Sequence, residues 1–232
     1  MVVAKQAAAK RAPRKVVATI VANEATPPAP LYWEQARDEL MKKDRVLRRL
    51  IPKYPGLTMT SRGDPFVTLA RSIVGQQISV KAAQSVWDRV MVAVPDFTPV
   101  KVTRAGGKKL LPCGLSQRKC EYILDLAGHF KSKELDPRDW DTLDDEALIE
   151  LLVKVRGIGR WTAEMFLMFN QLRPNVLPLD DIGLQNAVSR HYFSGEPVTR
   201  SDLREVAVGW QPWASVATWY LWRSLDPIPV SY

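Results

Sequence analysis

Residues 154–166 read KVRGIGRWTAEMF. A Gly-x-Gly turn, Gly157-Ile158-Gly159, runs directly into a helical pattern that opens on Trp161. Helix starts favour small polar residues, so the largest apolar side chain in that place needs a reason other than helix formation. Upstream, TLDDEALIELLVKV (142–155) carries Asp144, Asp145 and Glu146 at its start, where the positive end of a helix dipole favours them, followed by apolar residues at helical spacing. The stretch therefore joins two amphipathic helices through a glycine hairpin. Glycines give the backbone access to φ > 0 and leave N–H groups uncovered. The free N–H groups and positive dipole end of the second helix then form an anion site suited to a phosphate. Ile158, between the glycines, plugs the hairpin into the two helices. Such an element grips a nucleic-acid backbone without reading sequence. Taken alone, it equally fits an ordinary corner between helices.

Composition agrees with a polyanionic partner without requiring one. With 232 residues, 46% apolar and 25% charged, the chain has the balance of a globular protein with a real core. No apolar run approaches the ~20 residues of a membrane-spanning helix. The net charge is +8, but residues 1–30 hold Lys5, Lys10, Arg11, Arg14 and Lys15 against Glu24, so half of it lies there. That stretch, ending in ATPPAP, reads as a flexible basic tail with no apolar core of a secretory signal. Cys113 and Cys120 have no zinc or iron–sulfur spacing and read as reduced thiols of a cytosolic or nuclear protein. With His129 and His191 as the two histidines, chemistry falls to carboxylates, backbone and aromatics.

From Leu31 to residue 232 the pattern is helical almost throughout, an all-α domain. Trp33, Ala36, Leu40, Val46, Leu47, Leu50 and Ile51 mark an apolar stripe. Asp64 and Pro65 read as cap and first position of the next helix, a further one starts near Val80, and LSQRKCEYILDLAGHF turns Leu115, Cys120, Ile123, Leu124 and Ala127 inward. Helices from about Ile182 and two near the C-terminus complete the set.

Twenty residues beyond Trp161 comes VLPLDDIGLQNAVSR (176–190). Pro178 breaks the chain, and Asp180-Asp181 precede a helix. One aspartate suffices as a cap, so the doublet invites a second role for the other. The pairing of LVKVRGIGRWTA with VLPLDDIGLQ, together with SIVGQQIS, CGLSQRK and WQPWASVATWYLWR, resembles the helix–hairpin–helix–Gly/Pro–Asp superfamily of DNA glycosylases. Within it, the alkylbase enzymes of the 3-methyladenine DNA glycosylase II kind are the most similar, and the likeness covers most of residues 60–226.

The resemblance implies a two-lobed helical fold with a cleft and a monomer acting on damaged double-stranded DNA, in the cytoplasm on the nucleoid of a bacterium or in the nucleus of a eukaryote; a glycosylase for deaminated bases such as hypoxanthine, or a noncatalytic helix–hairpin–helix DNA-binding protein, stays as the alternative. The family's catalytic aspartate stands nine residues before an arginine, which from Arg190 points to Asp181, with Asp180 as neighbour, cap or alternate. Trp161 stands where bifunctional members carry a Schiff-base lysine, which implies base excision without strand cleavage. Trp161 and Trp222 are implied as aromatic walls of a base pocket, their indole faces attracting a cationic alkylated purine, with Met165 one turn on from Trp161. Trp210, Trp213 and Trp219 read as structural. Gln77, with Gln76 beside it, matches the family's wedge into the duplex. Gly157, Ile158, Gly159, Arg160 and Thr162 of the hairpin, and Arg118 with Lys119, are implied contacts to the DNA backbone. No organic cofactor is implied; a structural Na+ or K+ on the carbonyls of Val153, Val155 and Ile158 is.

Overall fold

Most helix starts in this chain carry their own signal. Asp44, Asp64, Ser79, Thr98, Ser116, Asp144, Asp181 and Thr199 each occupy an N-cap and accept a first-turn backbone N–H. Each such cap contributes about 1 kcal/mol relative to alanine. The computed structural model describes residues 29–225, so nearly all of the basic tail expected over 1–30 lies outside the described residues.

Eleven α-helices and three short 3-10 turns, with no strand, make up the regular structure among the described residues. In order they are α1 (Trp33–Lys43), α2 (Arg45–Leu50), α3 (Pro65–Gly75), α4 (Val80–Ala93), α5 (Pro99–Leu110), α6 (Gln117–Ser132), α7 (Asp145–Leu152), α8 (Arg160–Phe169), α9 (Ile182–Tyr192), α10 (Arg200–Val208) and α11 (Ala214–Leu225). Asp44 separates α1 from α2, because its extended backbone caps the second helix with two accepted N–H bonds. Leu124 is only partly covered on α6, whose inward face is Cys120, Ile123, Leu126 and Ala127.

The main helix packing falls into two groups. In one, α3 rests on α4 and α6, and α5 on α4 and α6; in the other, α11 rests on α1, α2 and α9. The α7–α8 pair meets the first group where α8 packs on α3. Edge-to-face aromatic contacts fix α8 there: Phe66 meets Phe130, Phe130 meets Trp140, and Trp140 meets Phe166 with centroids 5.4 Å apart. Trp33, Trp210 and Trp219 are buried in the second group, with Trp33 edge-on to Trp219 at 5.2 Å. Cys113 and Cys120 are both free and buried. The consequence for function is positional: α8 packs on the first group, α9 belongs to the second, and Trp161 near the start of α8 bonds to Asp181 at the cap of α9.

Candidate active site and DNA interface

The hairpin lies between α7 and α8. Gly157 has φ +86°, and a Cβ on it would stand 2.2 Å from Cδ2 of Tyr122 on α6, so glycine is required there by conformation and by space. Gly159 is different. Its φ of −91° and ψ of 171° suit any residue, and a Cβ there meets nothing within 4 Å. The expectation that both glycines supply positive φ holds at Gly157 alone. Gly159 caps α8, whose start has no side-chain cap hydrogen bond, and a Cβ on Gly159 would meet nothing within 4 Å, so no side chain crowds this helix start.

Among the hairpin residues, Ile158 is turned inward, as expected of a residue that plugs the hairpin into its two helices, and so is Thr162, whereas Arg160 is exposed. Ile158 is buried, and its N–H is already donated to the Val155 carbonyl at 3.1 Å. Thr162 is buried as well. Arg160 is held by Glu146 through two bonds, of 2.6 and 2.7 Å, and by Glu164 at 3.1 Å, so its charge braces α7 to α8 instead of standing free. Burial pushes the Glu164 carboxyl up to about 7 against the pull of that guanidinium. Sequence reading passed over Glu164 because it falls in an otherwise apolar helix face with no motif around it.

Asp181 is buried at the N-cap of α9, and three N–H groups converge on its carboxylate. Oδ1 accepts from Leu184 N at 2.6 Å and Trp222 Nε1 at 2.7 Å; Oδ2 accepts from Trp161 Nε1 at 2.9 Å. An ionised carboxylate accepts at about four lone-pair positions, so Oδ1 is filled and Oδ2 keeps one free. The two tryptophans therefore do more than present faces: both indole N–H groups orient the acid, a bond that sequence pattern does not reveal. Asp180 is not the cap. It is exposed and paired with Arg200, and Asp181 is both the cap and the buried acid.

Trp161 remains 43% exposed although it is anchored at its nitrogen. Trp222 is half-buried and stacked on Phe169, centroids 5.9 Å apart and planes 18° apart, and the Arg62 guanidinium lies 4.3 Å from the same Phe169 ring. Met165 is partly buried against the core, one turn along α8 from Trp161. Phe169 and Gly183 join the site without having been anticipated; the only trace of Gly183 in the sequence is a glycine in the first turn of a helix. A Cβ on Gly183 would stand 3.1 Å from Asp181 Oδ1 and 3.2 Å from Trp222 Nε1. Gly183→Ala is thus expected to displace the Trp222 indole by a few tenths of an ångström and to lower activity by about tenfold, with melting shifted by less than about 3 °C. Activity unchanged from wild type would mean that the Trp222–Asp181 bond does not matter.

At the turn between α3 and α4, Gln77 is exposed with φ +59°, and Ile78 beside it is exposed too. Gln76 points the other way, donating from Nε2 to the Gly157 carbonyl at 2.8 Å. Arg118 is exposed, whereas Lys119 faces inward and donates to the carbonyls of Val74 and Gln76. Gln76 and Lys119 are thereby removed from the expected DNA contacts.

A glycine hairpin opening a helix, whose Trp161 lies 20 residues before a buried carboxylate clasped by two indoles, defines a class. The chain belongs to the HhH-GPD superfamily of base excision DNA repair proteins, whose model matches residues 70–212. Among individual proteins, it is 30% identical over 199 residues to DNA-3-methyladenine glycosylase of Bacillus subtilis, covering 81% of this chain and 66% of that one. The crystal structure of DNA-3-methyladenine glycosidase from Bacillus halodurans superposes with a TM-score of 0.77 at 33% identity, over 82% of this chain and 89% of that one. The Schizosaccharomyces pombe 3-methyladenine DNA glycosylase Mag1, solved with abasic DNA, gives a TM-score of 0.69 at 27% identity, covering 82% and 96%. The chain spans 66% of the length of that Bacillus subtilis relative and of another, the putative DNA-3-methyladenine glycosylase YfjP, to which it is 28% identical over 188 residues.

Proposed function

We propose that this chain is a monofunctional DNA glycosylase that hydrolyses the N-glycosidic bond of alkylated purines, 3-methyladenine and 7-methylguanine, in double-stranded DNA. The observation that carries this reading is the convergence of Trp161 and Trp222 on Asp181. An alkylated purine is a good leaving group and carries positive charge. As its bond to the sugar stretches, the sugar gains oxocarbenium character, and the preoriented Asp181 carboxylate stabilises that charge in a site partly screened from water. The spare lone pair of Oδ2 is available to orient the attacking water. The exposed Trp161 ring offers an electron-rich face to the cationic base, worth ~0.5–2 kcal/mol, which a normal purine forgoes. Because residue 161 is tryptophan, no amine stands beside Asp181 to form a Schiff base, so the strand stays whole.

The N–H groups at the start of α8 receive a phosphate, and Gln77 fills the space that the extruded nucleotide leaves. Three neutral carbonyls, of Val153, Val155 and Ile158, suit a Na+ or K+ in kind, and that of Val155 already accepts one N–H. The relatives' names and the DNA-bound Mag1 structure support the substrate class.

The test is incubation of the full chain with duplex DNA treated with a methylating agent, followed by chromatography of the free bases and a strand-integrity gel. Free 3-methyladenine with intact strands is the expected result. Strand breaks at the excised positions would overturn the monofunctional assignment, and DNA binding with no base released would leave a noncatalytic binding protein.

A further inference from the structure

The turn after α3 and the glycine hairpin are tied together inside the molecule, although 81 residues separate the bonded pair in sequence. Gln76 Nε2 reaches the Gly157 carbonyl at 2.8 Å. Lys119, in the first turn of α6, donates from Nζ to the carbonyls of Val74 at 2.8 Å and of Gln76 at 2.6 Å. One turn along α6, the Tyr122 ring fills the space beneath Gly157. Another turn on, Asp125 accepts the Arg156 N–H at 2.9 Å. Positions three apart share a helix face. One face of α6 therefore carries both elements that approach the DNA.

The chemistry of the tie is specific. The last carbonyls of α3 have no partners within the helix and lie at its negative end, where an ammonium is favoured. Lys119 satisfies two acceptors at once, and burial pushes its ammonium down from the ordinary lysine range. The next residue, Gln77, holds φ +59°. For a side chain of that kind the left-handed region is strained, and it persists only where the surroundings enforce it. Gln76 enforces it from one side by bonding to the hairpin, and Lys119 from the other by fixing the carbonyl that precedes Gln77.

We propose that Lys119 and Gln76 are positioning residues that couple the hairpin's hold on the DNA backbone to extrusion of the target nucleotide, by keeping Gln77 protruding at a fixed offset from Gly157. This rests on the glycosylase reading above. When a phosphate seats on the hairpin, the turn at 76–79 cannot retreat independently, and the wedge is driven into the duplex by the same contact.

The experiment uses the full chain and a duplex carrying one 7-methylguanine, either paired with cytosine or opposite an abasic site, with 2-aminopurine as its neighbour to report unstacking by fluorescence. Lys119→Met and Gln76→Ala are expected to release base about tenfold more slowly than wild type from the paired duplex, and less than about threefold more slowly where the base lacks a partner and extrusion is easier. The fluorescence rise on binding is expected to shrink on the paired duplex, and Lys119→Arg, which keeps the donors, to recover most of it. Equal slowing on both duplexes, or unchanged rates in both variants, would overturn the coupling. Should Lys119→Met fail to fold, Gln76→Ala decides alone, since it removes one hydrogen bond from a half-buried side chain. A wild type that raises fluorescence yet releases nothing would sink the glycosylase reading; the coupling would then stand or fall on whether the variants lose that rise. A wild type that does neither overturns both.

Discussion

Asp181→Asn is expected to lower base release from methylated DNA by roughly 10²–10⁴-fold in single-turnover assays, with DNA affinity retained. The size follows from what the amide can and cannot replace. Asparagine is as good an N-cap as aspartate, so the Leu184 N–H keeps its acceptor and α9 keeps its start. The amide oxygen can also keep the Trp222 bond. Its NH2 group, however, then faces the Trp161 Nε1–H, where Oδ2 accepted at 2.9 Å, and two donors cannot bond. The substitution thus removes the carboxylate that the proposed mechanism sets against the sugar and frees the Trp161 indole in one step. Retained release, at more than about a tenth of the wild-type rate, would reduce Asp181 to a helix cap and move the chemistry elsewhere.

Gly157→Ala is expected to destabilise the fold by ~2–4 kcal/mol, lowering the melting midpoint by about 5–15 °C, and to weaken DNA binding with it. Two costs add at this residue. The backbone sits at φ +86°, and the new methyl would stand 2.2 to 2.7 Å from three atoms of the Tyr122 ring, including its root carbon at 2.5 Å, which rotating the ring about its own axis does not move. Either Tyr122 leaves its place on α6 or the hairpin rebuilds. Gly159→Ala provides the contrast: its backbone is ordinary and the space around its Cβ is open, so melting should stay put while affinity for DNA falls. Equal melting of the two variants, measured by circular dichroism, would show that Tyr122 yields easily and that the hairpin is not held from below.

Much of the helical architecture was legible because caps and apolar spacing agree, as at Asp64-Pro65 ahead of Phe66, Leu69, Ala70, Ile73 and Val74. Helix α5 was not. It buries only Val102 and Leu110, and Gly106, at φ +59°, breaks it near its end, so no periodic stripe announces it. In the site, Asp181, Trp161 and Trp222 were legible as residues, through a resemblance, but not as a hydrogen-bonded unit. Spacing along a chain says which side chains share a region and nothing about which atom of an indole points inward. The adjacent pairs Gln76-Gln77 and Arg118-Lys119 show the limit most clearly. Each pair offers like chemistry in sequence, and only the backbone angle or the carbonyls within reach decide which member faces in.

The bracing of Arg160 by Glu146 and Glu164 bears on how this surface meets a polyanion. A cation already held by Glu146 and Glu164 displaces few condensed ions when a phosphate arrives, and an N–H dipole displaces none. Affinity falls with salt by roughly 0.9 logarithmic units per logarithmic unit of salt for each phosphate neutralised. Under the proposed function, a grip built on helix-start dipoles is expected to lose less affinity as ionic strength rises than a net charge of +8 suggests.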